Sequence, residues 1–106
     1  MDLGAEIDRC AQSIVQQFSP DRIILFGSHA DGSASSHSDV DLLVIMPYKG
    51  KSSKVALEMR RKVKKPFPLD LVVKERAEAE LRIAQGDSFL KSAFQNGKVL
   101  YERSES

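Results

Sequence analysis

Three aspartates stand at the beginnings of two strongly apolar segments, where carboxylates are unusual. Asp39 and Asp41 precede the apolar run at residues 42–46, and Asp70 interrupts the apolar run at residues 69–73. Aspartate is depleted in strands, and a buried carboxylate is costly unless something compensates its charge. Because residues i and i+2 of a strand share a face, Asp39 and Asp41 are predicted to project side by side.

A cluster of carboxylates is repulsive unless cations hold it together. Hard oxygen ligands without a neighbouring cysteine favour magnesium or manganese. Two such ions about 4 Å apart promote in-line phosphoryl or nucleotidyl transfer, one at the attacking hydroxyl and one at the leaving group. Gly27 permits close approach of a phosphate to the backbone, and Ser28 offers an N–H and a hydroxyl to phosphate oxygens.

Hydrophobic periodicity and turn residues predict how the chain positions these groups. We predict one α/β (α+β) domain over residues 1–106, a small mixed β-sheet flanked by helices. The predicted helices are 3–18, 51–65, 75–84 and a short one capped by Asp87 and ending at Asn96 and Gly97, with a possible helical turn after Ser28. The predicted strands are 22–26, 40–46, 69–73 and 98–101, and residues 102–106 are predicted to fray.

The connections between the predicted strands bring the aspartates to one edge of the sheet. A short loop after Gly27 suggests that the first two strands are antiparallel. The helix at residues 51–65 suggests a parallel crossover to the third strand. A parallel neighbour starts at the same edge, so Asp70 is expected beside Asp39 and Asp41.

Composition excludes several classes of protein. Of the 106 residues, 16 are basic and 15 are acidic, which is unlike the basic surplus of a general nucleic-acid binder. The single cysteine, Cys10, cannot form an internal disulfide, as expected in a reducing cytoplasm, and is predicted to be a packed helix residue. The longest apolar run falls far short of the ~20 residues that span a bilayer. We therefore expect a soluble cytoplasmic protein that does not contact membranes.

A basic stretch covers residues 49–65 and is predicted to form the outer face of a helix. The simplest interpretation is a solvated face, and the functional one is a docking surface for an acidic partner or for RNA. No aromatic residue interleaves the stretch, so stacking of bases is not supported. Lys74 and Arg76, which follow the Asp70 strand, are weaker candidates for phosphate contacts. The stretch contains eight cations: Lys49, Lys51, Lys54, Arg60, Arg61, Lys62, Lys64 and Lys65.

These residues resemble the signature of the DNA polymerase β-type nucleotidyltransferase superfamily. The signature is Gly-Ser, ten residues, then Asp-x-Asp, and it stands here as Gly27-Ser28, residues 29–38 and Asp39-Val40-Asp41. Asp70 resembles the third carboxylate of the family. The small size and the ending at residues 96–102 are similar to the minimal nucleotidyltransferases of bacteria and archaea.

The resemblance implies a polymerase β-like fold and transfer of AMP from ATP to a hydroxyl, with two Mg²⁺ ions, or Mn²⁺, as cofactors. It assigns Asp39, Asp41 and Asp70 as catalytic metal ligands, with Asp70 best placed to help deprotonate the acceptor. The predicted nucleotide-binding set is Gly27, Ser28 and Ser38. The resemblance also implies an antitoxin role, in which the acceptor is a tyrosine of a partner HEPN-domain toxin.

The loop between the two parts of the signature departs from the family pattern. Many relatives carry arginines there, which suit a triphosphate, whereas residues 29–38 contain no Arg or Lys and Asp31 adds negative charge. His29 and His37 are the remaining candidates for phosphate contacts, although surface histidines are commoner. One alternative is therefore an antitoxin that acts by binding alone. Another is a small-molecule nucleotidyltransferase, for example for aminoglycosides, in which a homodimer supplies the acceptor pocket.

Overall fold

The computed structural model describes residues 3–35 and 38–104, and its element order confirms the predicted α/β architecture. His37, one of the predicted candidates for phosphate contact, lies outside the described residues. The elements are α1 (Leu3–Phe18), β1 (Arg22–Phe26), α2 (Ser28–Asp31), β2 (Val40–Ile45), α3 (Ser52–Lys62), β3 (Leu69–Lys74), α4 (Arg76–Ala84), α5 (Ser88–Asn96) and β4 (Lys98–Glu102).

The strands form one mixed sheet in the order β3-β2-β1-β4. As predicted, β1 and β2 are antiparallel and β2 and β3 are parallel across the α3 crossover. The last strand, β4, returns to pair antiparallel with β1. Strands β1 and β2 therefore occupy the centre of the sheet, and the ends that carry the signature residues meet at one edge.

Helices cover both faces of the sheet and give each face its own apolar core. On one face, α1 and α3 bury residues such as Ile14 and Met59 against Val40, Leu42 and Val44 of β2. On the other face, α4 and α5 bury Ala79, Leu90 and Ala93 against Ile24, Leu43 and Ile45. Because β2 is buried on both faces, it reads in the sequence as a continuous apolar run.

Most predicted bounds agree with the structure to within one residue, but the end of the helix at 51–65 and the start of the predicted tail need correction. The predicted helix at 51–65 ends at Lys62, because the backbone is extended at Val63 (φ −101°, ψ 121°). The Lys65 ammonium then donates hydrogen bonds to the backbone carbonyls of Arg60 (2.6 Å) and Val63 (3.1 Å). The prediction that the tail frays from residue 102 is wrong for its first two residues. Glu102 belongs to β4, and the backbone N–H of Arg103 donates to the carbonyl of Asp21 at 2.8 Å. Residues 105 and 106 lie outside the described residues.

Cys10 is buried in α1 and packs in the core on the α1 side of the sheet. Burial raises the pKa of its thiol to about 11, so it is protonated at neutral pH. The structure therefore confirms the prediction of a packed residue rather than a nucleophile. None of the helices in the described ranges is long and apolar enough to cross a membrane.

Gly97 ends α5 as predicted, but the reason for glycine is steric rather than conformational. Its φ of −74° is open to any residue. A Cβ at this position would lie 2.3 Å from the Ala93 carbonyl oxygen and 2.5 Å from Cγ2 of Ile24. The turn from α5 into β4 therefore passes so close to β1 that a methyl group does not fit.

We predict that Gly97→Ala lowers the free energy of unfolding by about 1–3 kcal/mol, because the added methyl overpacks the junction of α5, β1 and β4. Urea denaturation measures the effect. The control is Gly4→Ala at an exposed helical position of α1, where alanine is expected to leave stability unchanged or raise it by up to about 1 kcal/mol. Equal stabilities for Gly97→Ala and the wild type would contradict the steric explanation.

Candidate active site

The sheet register brings the three signature aspartates to one edge. Asp41 is the second residue of β2 and lies opposite Phe26 of β1 on one side and Asp70 of β3 on the other. Asp39 precedes β2 by one residue, so the alternation of the strand places it on the same face as Asp41. This is the face covered further along by α4 and α5. Asp41 is half-buried, whereas Asp39 and Asp70 are exposed.

Charge crowding is the main electrostatic property of this edge. The pKa of Asp41 is raised, first by desolvation of its half-buried carboxyl and then by the negative charges of Asp70 and Asp39. His29 acts in the opposite direction and partly offsets these effects. Three oxygen donors that repel one another suit a hard divalent cation, so Asp39, Asp41 and Asp70 fit magnesium by chemistry. Within residues 3–35 and 38–104, however, no group of three such side chains is already arranged as a metal site.

Gly27 lies directly against the Asp41 carboxylate. It links β1 to α2 with φ 75° and ψ −155°, a conformation that is essentially restricted to glycine. A Cβ built on Gly27 would lie 2.3 Å from Oδ2 of Asp41. The space next to the carboxylate therefore stays open only because residue 27 has no side chain.

The loop after Gly27 is closed by its own polar groups. As predicted, it begins with a short helical turn, α2, which ends at Gly32 in the left-handed conformation. His29 bonds through Nε2 to the backbone carbonyl of Ser38 at 3.1 Å. The Ser38 hydroxyl, predicted to bind nucleotide, accepts a hydrogen bond from the backbone N–H of Ser35 at 2.9 Å.

Asp31 adds negative charge close to this loop, as the sequence indicated. Its carboxylate accepts hydrogen bonds from the backbone N–H and the hydroxyl of Ser33. Both bonds lower the pKa of Asp31, and the bond from the hydroxyl has the larger effect. The carboxyl group is therefore ionised at neutral pH. Hydrogen bonds thus join the described parts of the loop, and the loop sequence contains no cationic Lys or Arg for a phosphate.

Two clefts flank the carboxylates, and sequence reasoning located neither. The first, here called the α5 cleft, has a volume of about 600 Å³ and lies beside Gly27. The second, the α3 cleft, has a volume of about 520 Å³ and lies beside Asp70. The α5 cleft is lined by Phe26, Gly27, Ala30, Asp31, Ser88, Phe89, Ser92, Ala93, Asn96 and Gly97. The α3 cleft is lined by Asp39, Arg60, Lys65, Phe67, Pro68, Leu69 and Asp70.

The two weaker phosphate candidates from the sequence lie elsewhere. Lys74 is the last residue of β3, at the opposite end of the strand from Asp70. Its ammonium lies 3.7 Å from the carboxylate of Glu78. Arg76 begins α4 and lines a separate small pocket with Arg22 and Phe94. Neither cation lines the α5 cleft or the α3 cleft.

Comparisons with known proteins define the class. The family model described as Polymerase beta, Nucleotidyltransferase matches residues 9–106, and the chain belongs to this family. A candidate nucleotidyltransferase from Sulfolobus solfataricus is similar in structure, with a TM-score of 0.64 and 18% identity over 93% of this chain and 79% of that chain. A chain from a toxin–antitoxin complex with AMP-PNP has a TM-score of 0.56 and 18% identity over 92% and 73% of the two chains. No curated protein matches the sequence.

The contact between Gly27 and Asp41 has a matched control in Gly32, which also has a positive φ but open space where a Cβ would lie. Through backbone strain, alanine is expected to lower the free energy of unfolding by about 1–2 kcal/mol at Gly32, which is left-handed helical, and by about 1–3 kcal/mol at Gly27. Only Gly27→Ala also displaces the Asp41 carboxylate, so we predict about a 10–100-fold loss of Mn²⁺ affinity for that variant alone. Paramagnetic resonance of free Mn²⁺ measures it. Equal Mn²⁺ affinities for the two variants would contradict the claim that the missing Cβ of Gly27 keeps the Asp41 carboxylate in place.

Proposed function

We propose that this protein transfers AMP from Mg-ATP to a hydroxyl of a partner protein, as the antitoxin of a toxin–antitoxin pair. The acceptor would be a tyrosine of a HEPN-type toxin. The observation that carries the proposal is the register that places Asp70 beside Asp41, with Gly27 against the same carboxylate. Membership of the nucleotidyltransferase family and the toxin–antitoxin neighbour support it.

In this proposal the role of each carboxylate follows from its position in the sheet. Asp41 and Asp39 hold the metal ions, and Asp70, on the outer strand, completes the set and accepts the proton of the acceptor hydroxyl. Bound magnesium would lower the pKa of that hydroxyl and neutralise the leaving pyrophosphate. Repulsion from Asp70 and Asp39 contributes to the raised pKa of Asp41. A bound cation would relieve this repulsion, so the charge crowding favours cation binding.

The nucleotide is proposed to enter from the Gly27 side. The open space at Gly27 admits a phosphate, and Ser28, the first residue of α2, would offer its hydroxyl and its backbone N–H to the phosphate oxygens. The nucleoside would occupy the α5 cleft, where the rings of Phe26 and Phe89 meet edge to face with centroids 5.2 Å apart. Ser38, whose hydroxyl helps to close the loop, would contribute to nucleotide binding mainly by holding that loop.

Phe89 provides a test of the nucleotide position, since its side chain is 47% exposed and lines the α5 cleft. Stacking of a base on an aromatic ring contributes about 1–3 kcal/mol, so Phe89→Ala is expected to raise the KM for ATP about tenfold with little change in kcat. Leu81→Ala is the control, because Leu81 is 58% exposed on α4 and lies outside the cleft. A KM for ATP in Phe89→Ala equal to that of the wild type would contradict the placement of the nucleoside in this cleft.

One labelling experiment tests the reaction itself. The protein is incubated with its co-purified partner, magnesium and ATP labelled at the α-phosphate, as wild type and as Asp41→Asn. We expect label on the partner with the wild type and at least about a hundredfold less with the variant, as for loss of a group that acts on the transition state. Because the pKa of Asp41 is raised, removing its charge is not expected to lower the melting temperature, and thermal denaturation of the variant checks that it is folded.

A second candidate function is neutralisation of the partner by binding alone. The observation that favours it is the cation-free loop with an ionised Asp31. The same variants separate the two functions. Absence of label on the partner, together with inhibition that survives Asp41→Asn, would establish binding alone and overturn the transferase proposal.

A further inference from the structure

The α3 cleft has walls of opposite charge. Asp39 and Asp70 line its inner side, at the carboxylate edge of the sheet. Arg60 of α3 and Lys65, which follows that helix, line its outer side. Phe67 and Pro68 contribute apolar surface between them. An adjoining pocket shares Arg60 and Asp70 and adds Leu57, whose side chain is 52% exposed. The signature loop lacks cationic Lys and Arg side chains, but such side chains do lie on the Asp70 side of the carboxylates.

Arg60 is the cation of this wall that is available for a ligand. Within residues 3–35 and 38–104, its guanidinium makes no hydrogen bond and no ion pair. Lys65, by contrast, is fixed by its two bonds to carbonyls at the end of α3. Lys62, on the same helix, pairs with Glu58 at 3.0 Å. A guanidinium held near, but not paired with, the carboxylate cluster is suited to bind an anionic group from outside.

We propose that the α3 cleft receives the acceptor as a polypeptide segment with an acidic side chain next to the reacting hydroxyl. This inference rests on the proposed function and adds the chemistry of its acceptor. The neutral hydroxyl faces Asp70, and the acidic side chain faces Arg60. The apolar surface of Phe67 and Leu57 covers the body of the segment. Charge complementarity sets the direction in which the segment lies.

A polypeptide fits these walls better than RNA does. A nucleic-acid strand carries a negative charge at every phosphate, so several of them would approach Asp39 and Asp70 as well as Arg60. A peptide can carry a single anionic group on the Arg60 side and none on the carboxylate side. The exposed apolar side chain of Leu57 is also typical of protein contacts rather than phosphate contacts.

The reaction at this position balances without a further reactant. The acceptor oxygen attacks the α-phosphorus of ATP, and the bond from that phosphorus to the bridging oxygen of pyrophosphate breaks. The hydroxyl proton passes to Asp70 and from there to water. The products are the adenylylated side chain and pyrophosphate, and no electrons are transferred to or from any other molecule.

Synthetic peptides provide the test. Two peptides of equal length carry one tyrosine, flanked by glutamates in one and by lysines in the other, and a single-stranded RNA with a free 3′-hydroxyl is the third probe. Each is incubated with the full chain, magnesium and α-labelled ATP at low salt, and peptide binding is followed separately by fluorescence anisotropy. We expect kcat/KM to be about tenfold higher for the glutamate peptide, the effect of one charge pair in an interface.

Arg60→Glu should reverse this preference through the KM for the peptide, with the KM for ATP unchanged. Arg61→Glu, the same charge change at the neighbouring exposed position outside both clefts, should keep the wild-type preference. Circular dichroism checks that both variants fold, and Arg60→Gln, with no added negative charge, should show a weakened preference without reversal.

The outcomes separate this inference from the proposed function. Equal labelling of the two peptides, or a loss of preference in both Arg60→Glu and Arg61→Glu, would overturn the acidic-acceptor assignment and leave the transferase intact. Labelling of the RNA and of neither peptide would also overturn the acidic-acceptor assignment. So would ATP binding without binding or labelling of either peptide. A chain that neither binds ATP nor labels any probe, including its co-purified partner, would contradict the proposed function itself.

Discussion

The close approach of Gly27 to the Asp41 carboxylate is the constraint on which the rest of the site depends. Antiparallel pairing places Phe26 opposite Asp41, so the next residue of the chain must pass over the carboxylate. Glycine alone combines the required backbone conformation with the absence of a Cβ. The direction in which the chain enters α2, and therefore the position of Ser28 and the loop, follows from this contact.

The carboxylate edge is held against its own repulsion by the apolar strands behind it. Val40 and Leu42, which flank Asp41, are completely buried on the opposite face of the sheet. A shift of β2 by one residue would turn Asp41 toward the apolar core on the α1 and α3 face, where an uncompensated carboxylate is costly, so the register is strongly specified. The backbone N–H of Val40 also donates to the carbonyl of Pro68 at 2.9 Å, which holds the start of β3 beside β2. The sheet thus supplies the stability that the charged edge lacks.

The sequence predicted the parts of the site that depend on strand order and alternation. The helical crossover between β2 and β3 made the parallel pairing of Asp41 with Asp70 predictable, because local periodicity and connection length are both visible in the chain. The position of Phe89 was not predictable, since it depends on how α5 packs against β1. Arg60 was recognised only as one of eight cations in the basic stretch. Which of those cations turns toward the carboxylates depends on the exact rotation of α3 and on the turn made by Lys65.

The two flanks of the carboxylate edge differ in charge, and this difference bears on how the site would operate. On the Gly27 flank, the ionised Asp31 stands near the α5 cleft and the loop carries no cationic Lys or Arg, so a triphosphate would depend on divalent cations for charge compensation. On the Asp70 flank, Arg60 and Lys65 supply positive charge without any ion. In the proposed reaction, nucleotide binding would therefore depend on metal, whereas recognition of the acceptor would depend on Arg60 of α3. In that reaction different groups would control the two steps, so a change at Arg60 would alter the choice of acceptor without altering the binding of ATP.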